Sequence, residues 1–199
     1  MDDKSKELMK LIKEVLPKKR YMHTLGVAYL SSSLAMCYGF DNIKAFQAGL
    51  LHDCAKYEPD NIILDKCDNL KLDITTEQRM LPHLLHGILG EYYARTLYKI
   101  DDADILNAIK YHTTGRTQMS LLEKIVFVAD YIEIGRTQPT NPPLDEIRKI
   151  AFSDIDRAVY LVAENVIRYL TETGSQIDST TFEVLDYYKN IMRSKKHFS

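Results

Sequence analysis

Apolar residues recur along this chain at intervals of three and four, with Lys, Glu and Asp between them, and no stretch alternates with a period of two. That is the pattern of amphipathic helices sharing a core, and the fold class it predicts is all-α. Leu8, Leu11, Ile12, Val15 and Leu16 form the first stripe, in a helix that Pro17 ends. A second helix opens at Lys18-Lys19-Arg20, with His23 in its first turn, and runs to about Tyr38, where Gly39 stops it. Asp41-Asn42 caps a third, whose Ile43, Phe46, Gly49 and Leu50 lead to His52-Asp53; Lys56 lies one turn on if the helix persists, and a short helix and loop fill 58–69. Pro82 starts the next, carrying His83, Leu85, His86, Leu89 and Tyr93, so that His83 and His86 share a face. Asp101-Asp102 caps a helix through Ile105, Leu106 and Ile109 to Tyr111-His112, broken by Thr113-Thr114-Gly115. Ser120 opens a strongly apolar helix with Asp130 in its middle, and after a Pro-, Thr- and Asn-rich loop over 135–143 three closing helices occupy 144–151, 154–173 and 179 to about 193.

At 199 residues, 45% hydrophobic and 27% charged, the chain is expected to form one domain with a substantial core. No apolar run approaches the length of a membrane span, and Met1-Asp2-Asp3-Lys4 before an amphipathic segment lacks the regions of a signal peptide. The expected location is cytoplasmic, with no membrane partner. Cys37, Cys54 and Cys67 are odd in number and form no Cys-x-x-Cys pair, so they are expected to be small core fillers. A net charge of −2 argues against nucleic acid as a partner, and any anionic ligand needs local Lys and Arg or a metal. His197, in a basic tail with Arg193, Lys195 and Lys196, reads as a solvated residue.

The chemistry gathers around Gly49-Leu50-Leu51-His52-Asp53-Cys54-Ala55-Lys56, where an apolar segment delivers an imidazole beside a carboxylate. Alone, such a doublet reads more readily as a hydrogen-bonded core His with an Asp capping the next turn. But His23, His83 or His86, His112 and Asp130 also fall at helix ends or in apolar segments, where a lone polar group is costly. One metal centre would account for all of them, and mixed nitrogen and oxygen donors suit Fe, Mn, Zn or Co better than Ca or Mg.

The order His23, His52-Asp53, Asp130 resembles the HD-domain metal-dependent phosphohydrolases, an all-helical superfamily. More closely, Arg20-Tyr21-x-His23-Thr24-Leu25-Gly26-Val27, Leu51-His52-Asp53-x-Ala55-Lys56, Leu84-Leu85-His86-Gly87, Ile109-x-Tyr111-His112-Thr113-Thr114-Gly115 and Ser120-Leu121-Leu122-Glu123-Lys124-Ile125-x-Phe127-Val128-Ala129-Asp130-Tyr131-Ile132-Glu133-x-Gly135-Arg136 are similar to its YqeK family. Members of that family hydrolyse diadenosine tetraphosphate symmetrically to two ADP with two metal ions, usually iron. The likeness spans about Lys18 to Asp156; it implies a single HD domain over 1–199, with its core at about 18–156 and helices over 154–193 packing on it. Ile88 stands where the family commonly has Pro.

Carried over, the resemblance implies that His23, His52, Asp53 and Asp130 hold one divalent ion and Asp53, His86 and His112 the other, with Asp53 bridging. Fe is the first expectation, with Mn, Co or Zn as alternatives, and a homodimer is implied by the family. A metal-activated hydroxide would attack phosphorus in line. Asp53 and Lys56 are the candidate catalytic residues; Arg20, Lys56, Thr113, Gly115, Arg116, Tyr131 and Arg136 are the candidates for holding a dinucleoside polyphosphate or a nucleoside diphosphate. Glu133 reads as either a ligand-orienting carboxylate or a surface charge. Other readings are a nucleotidase or phosphodiesterase with the same centre, a non-catalytic HD signalling module, and a helical adaptor without metal.

Overall fold

The computed structural model describes residues 1–196, and among them there are helices, turns and loops but no strand. The all-α class expected from the periodicity is observed. His197, read from the sequence as a solvated residue, lies outside the described residues. Among the described residues no helix is long and apolar enough to cross a membrane.

Most boundaries follow local chemistry. Helix α1 (Asp3–Val15) starts where Asp2 accepts from the Ser5 N–H at 2.7 Å, and ends two residues before Pro17. Helix α2 spans Lys18–Cys37, and α3 (Asn42–Leu51) is capped by Asp41, which accepts from the N–H groups of Ile43 and Lys44. Next come α4 (Asp60–Asn69) and α5 (Thr76–Met80). Helix α5 is too short to show a period and buries no residue, so the hydrophobic pattern misses it; its signal is the capping box between Thr75 and Gln78. Helix α6 is His86–Thr96, α7 Ala103–Tyr111, α8 Leu121–Ile132, α9 Leu144–Ala151, α10 Ile155–Glu172 and α11 Ser179–Lys196.

Five local expectations are corrected. Pro82 does not start α6: it opens a 3₁₀ turn, Pro82–Leu84, so His83 and His86 are not neighbours on one α-helical face. Helix α3 does not persist to Lys56; after Leu51 the chain tightens, with Cys54 N–H bonded to Leu51 O at 3.0 Å and Lys56 N–H to Asp53 O at 2.9 Å. Asp130 lies in the last turn of α8 rather than its middle, and His23 in the second turn of α2 rather than its first. Cys37 is exposed and donates to Phe152 O, while Cys54 and Cys67 are buried as expected.

The core is organised around α3, buried from Ala45 to Leu51 and packed against α1, α2, α7 and α8. Gly49 permits this: a Cβ there would stand 2.9 Å from the Ala28 Cα, so α2 and α3 meet backbone to backbone. Helix α8 also touches α2, α7, α9 and α10, and α11 packs on α10. Leu50, Leu51, Leu85, Leu89, Ile109, Leu122 and Ile125 are fully buried, each contributing about 1.5–3 kcal/mol of apolar transfer. Several of them directly precede or follow a polar candidate: Leu51 precedes His52, and Leu85 precedes His86. The anchors that build the core therefore also position the imidazoles.

Candidate metal centre

Five elements converge at one point. His23 comes from α2, His52 and Asp53 from the turn closing α3, His86 from the first residue of α6, His112 from the C-cap of α7 and Asp130 from α8. All four imidazoles are held in the same way at Nδ1. His52, His86 and His112 each face the carbonyl three residues back, on Gly49, His83 and Ile109, at 2.7 Å, and His23 faces Glu133 Oε1 at 3.1 Å. These oxygens can only accept, so Nδ1 carries the hydrogen in each ring and Nε2 keeps its lone pair.

The four Nε2 atoms then point at the two carboxylates. His23 Nε2 is 3.0 Å from Asp130 Oδ1 and 3.9 Å from Asp53 Oδ2; His52 Nε2 is 3.3 Å from Asp53 Oδ2 and 3.8 Å from Asp130 Oδ1. On the other side, His86 Nε2 and His112 Nε2 lie 3.3 and 3.6 Å from Asp53 Oδ1 and 3.1 Å from each other. Asp53 thus divides the cluster, giving one oxygen to each pair of histidines. Lone pairs facing lone pairs in a buried site are repulsive unless something positive lies between them, and the buried Nε2 atoms of His23 and His52 have no hydrogen-bond partner among the described residues. Donor spacings of 3.0 to 3.9 Å match atoms bound to a common ion at about 2.0–2.2 Å. The residues fit a cation.

The electrostatics agree for the two carboxylates and for His86. Burial raises the pKa of the Asp53 carboxyl, but His52, His112 and His86 outweigh it and hold the group well below the usual range. Asp130 is likewise lowered, against its burial, by His23, His52 and Arg136. Burial, only partly relieved by Asp53, pushes His86 down to about 4, so it stays neutral and able to ligate. His52 moves the other way: its burial is overcome by the adjacent Asp53.

Cations sit at the mouth. Arg20 Nη1 is 2.8 Å from Asp53 Oδ2 and Arg136 Nη2 is 2.7 Å from Asp130 Oδ1. Lys56 Nζ donates to His83 O at 3.0 Å, and burial lowers its pKa. Together with Lys19, these residues line a groove of about 940 Å³ whose wall also includes His23, Gly26 and Glu133. Thr113 Oγ1 lies 3.2 Å from His112 Nε2 and 3.4 Å from His86 Nε2. Gly115 caps α7, its N–H on Tyr111 O, and lines a small separate hollow of about 60 Å³ beside Asp178 and Thr180. Arg116 turns to Glu123 at 2.8 Å and over the Tyr111 ring, and Tyr131 leans on the core; neither lines the groove. The His83 ring is exposed, and its contribution is the carbonyl that orients His86.

Glu133, which the sequence left open between two roles, is buried, and its Oε2 also accepts the Gly135 N–H at 2.6 Å. Gly26 makes room for it: a Cβ at that position would lie 2.7 Å from Glu133 Oε2. Glu133→Gln keeps the shape but removes the charge that holds the His23 tautomer. Metal affinity measured by titration is expected to fall about 10–100-fold; an unchanged affinity would reduce Glu133 to a packing residue.

Arg148 is the residue that sequence reasoning missed. From α9 it donates to the carbonyls of Ile132 at 2.9 Å, Glu133 at 3.0 Å and Arg136 at 3.1 Å, and pairs with Asp145. It ties down the segment that carries both Glu133 and Arg136. No local motif signals this, because its partners in that segment are all backbone carbonyls.

The chain is similar to known proteins. The HD domain family model matches residues 20–135. A protein of Staphylococcus aureus (strain NCTC 8325 / PS 47) named bis(5'-nucleosyl)-tetraphosphatase, symmetrical, is 37% identical over 90% of this chain and 91% of its own length. Its namesake in Bacillus subtilis (strain 168) is 36% identical over 88% and 92%. A 1.50 Å crystal structure from Clostridium acetobutylicum, described as a predicted HD superfamily hydrolase involved in NAD metabolism, superposes with a TM-score of 0.88 at 39% identity, covering 93% of this chain and 96% of that one.

Proposed function

Because this chain belongs to the HD-domain family, and within it to the symmetrical bis(5'-nucleosyl)-tetraphosphatases, we propose that it hydrolyses diadenosine tetraphosphate, and dinucleoside polyphosphates like it, into two ADP. The family implies a divalent metal, and the His and Asp cluster suits one. We read the centre as dinuclear, with iron foremost and Mn, Co or Zn as alternatives. The observation that carries this is the division of Asp53, with Oδ2 among His23, His52 and Asp130 and Oδ1 between His86 and His112. These sets would hold one ion each. When bound, such ions act as Lewis acids on water and phosphoryl oxygens.

The protein's own groups supply the rest. Arg20 and Arg136 present planar forks suited to phosphate oxygens, and Lys56 adds a point charge beside His86. They neutralise the polyphosphate and the diphosphate that departs. In the reaction, oxygen from water forms a new bond to one of the two central phosphorus atoms while the central bridging P–O bond breaks, so each product is a nucleoside diphosphate. Glu133 keeps the His23 ring in the orientation that aims Nε2 inward. We further read the chain as one HD domain acting in the cytoplasm on a nucleotide rather than a nucleic acid, as a homodimer; its net charge of −2 supports the nucleotide over the nucleic acid.

Metal analysis of freshly purified protein, followed by incubation with diadenosine tetraphosphate and chromatography, tests the reading. About two equivalents of iron or manganese are expected, with ADP as the only product. ATP plus AMP would place the attack elsewhere, metal without turnover would favour a nucleotidase or phosphodiesterase, and neither metal nor turnover would overturn the enzyme.

A further inference from the structure

We infer that one nucleoside of the substrate lies in an apolar hollow that continues the cationic groove, walled by Tyr29, Leu30, Ile134 and Phe152; this rests on the hydrolase reading above. The hollow holds about 690 Å³ and shares Gly26 and Ile134 with the groove at the metal centre, so the two form one trough. Its polarity changes along its length. The end at the His and Asp cluster carries Lys19, Arg20, Lys56 and Arg136, whereas the far end is mainly hydrocarbon and aromatic. A nucleoside diphosphate has the same order, with charged phosphates at one end and a flat base with apolar faces at the other.

Exposure supports an occupant. Ile134 is 89% exposed, Tyr29 51% and Phe152 42%, an unusual concentration of large apolar side chains beside a charged groove. The polar groups on the rim are already engaged: Ser33 donates to Tyr29 O, and Arg148 is committed to backbone carbonyls and Asp145. What the walls offer is stacking against the faces of a ring, an interaction that every base can make. Arg148 also holds the carbonyls that flank Ile134, so the wall is fixed in place before a ligand arrives.

Calorimetric titration of the manganese-loaded protein with ADP and, separately, with inorganic pyrophosphate tests this in wild type, Ile134→Ala, Tyr29→Ala and Phe152→Ala. Each substitution is expected to raise the Kd for ADP about tenfold while moving that for pyrophosphate less than about twofold. Ile134 is so exposed that its replacement cannot be blamed on misfolding. An unmoved ADP affinity, equal weakening of both ligands, or no ADP binding by wild type would overturn the inference. So would a change in sedimentation from dimer to monomer with ADP affinity intact, because the hollow would then belong to a second copy of the chain. A wild type that binds ADP with this pattern but does not cleave diadenosine tetraphosphate would leave the hollow standing and remove the hydrolase reading instead.

Discussion

Asp53→Ala is expected to abolish metal binding and turnover together while leaving the helices in place. Both Asp53 oxygens are in use, one toward each pair of histidines, so alanine removes an anion from both halves of the centre at once. The loss of activity should exceed about a thousandfold, since this carboxylate would serve both ions of a two-metal site. The fold does not depend on it in the same way, because the side chain sits in the turn after α3 and the helix itself is held by Ala45, Ala48, Leu50 and Leu51. Metal should also act on stability. A ligand at a hundredfold excess over its Kd adds about 2.7 kcal/mol, worth about 5–10 °C in a chain of this size. Wild type should gain that shift with manganese and lose it to a chelator, while Asp53→Ala should show neither. The readouts are circular dichroism, thermal melts with and without metal, and metal content. A variant that kept metal, or one that lost its helices, would refute the role assigned to Asp53.

Arg148→Ala is expected to cost about 3 kcal/mol of stability and to weaken metal binding, although Arg148 does not touch the donor cluster. Its guanidinium bonds three backbone carbonyls, on Ile132, Glu133 and Arg136, and hydrogen bonds to a charged donor contribute about 1.5–3 kcal/mol each before solvent screening and non-additivity reduce the sum. With that anchor gone, Glu133 no longer holds His23 firmly and Arg136 no longer holds Asp130. The Kd for manganese should rise about 10–100-fold. Arg148→Lys, which can keep only part of the fork, should fall between. Urea unfolding reports the first effect and metal titration the second. A lower unfolding midpoint with unchanged metal affinity would make Arg148 a structural residue alone.

The helices were largely legible because their signals are local. Asp41, Asp102 and Ser120 cap where the sequence places them, and of the first stripe Leu8, Ile12 and Leu16 are buried, Leu11 is half-buried and Val15 is exposed. Two of the errors fell where the chain departs from α-helical spacing. The Pro82 turn is 3₁₀, and the chain beyond Leu51 tightens into turns; in both places a bond to the third residue replaces one to the fourth. Arg116 shows a different limit. It is a cation next to a motif, yet the buried Glu123 in the capping box of α8 draws it away from the groove.

By itself, the sequence determined the class of fold, the donor types and the chemistry they suit, because periodicity, capping and the choice of imidazole and carboxylate are properties of short segments. The tertiary structure decided which face each donor presents. Three backbone carbonyls and Glu133 set the tautomers, the close approach of α2 and α3 at Gly49 brings His23 toward His52, and Arg148 secures the segment behind Asp130. The carbonyls lie only three residues before their rings, but the contacts of Glu133, Gly49 and Arg148 join residues far apart in the chain, where the energy comes from packing and from hydrogen bonds to backbone atoms. Every residue carries those atoms, so no local pattern marks them in advance.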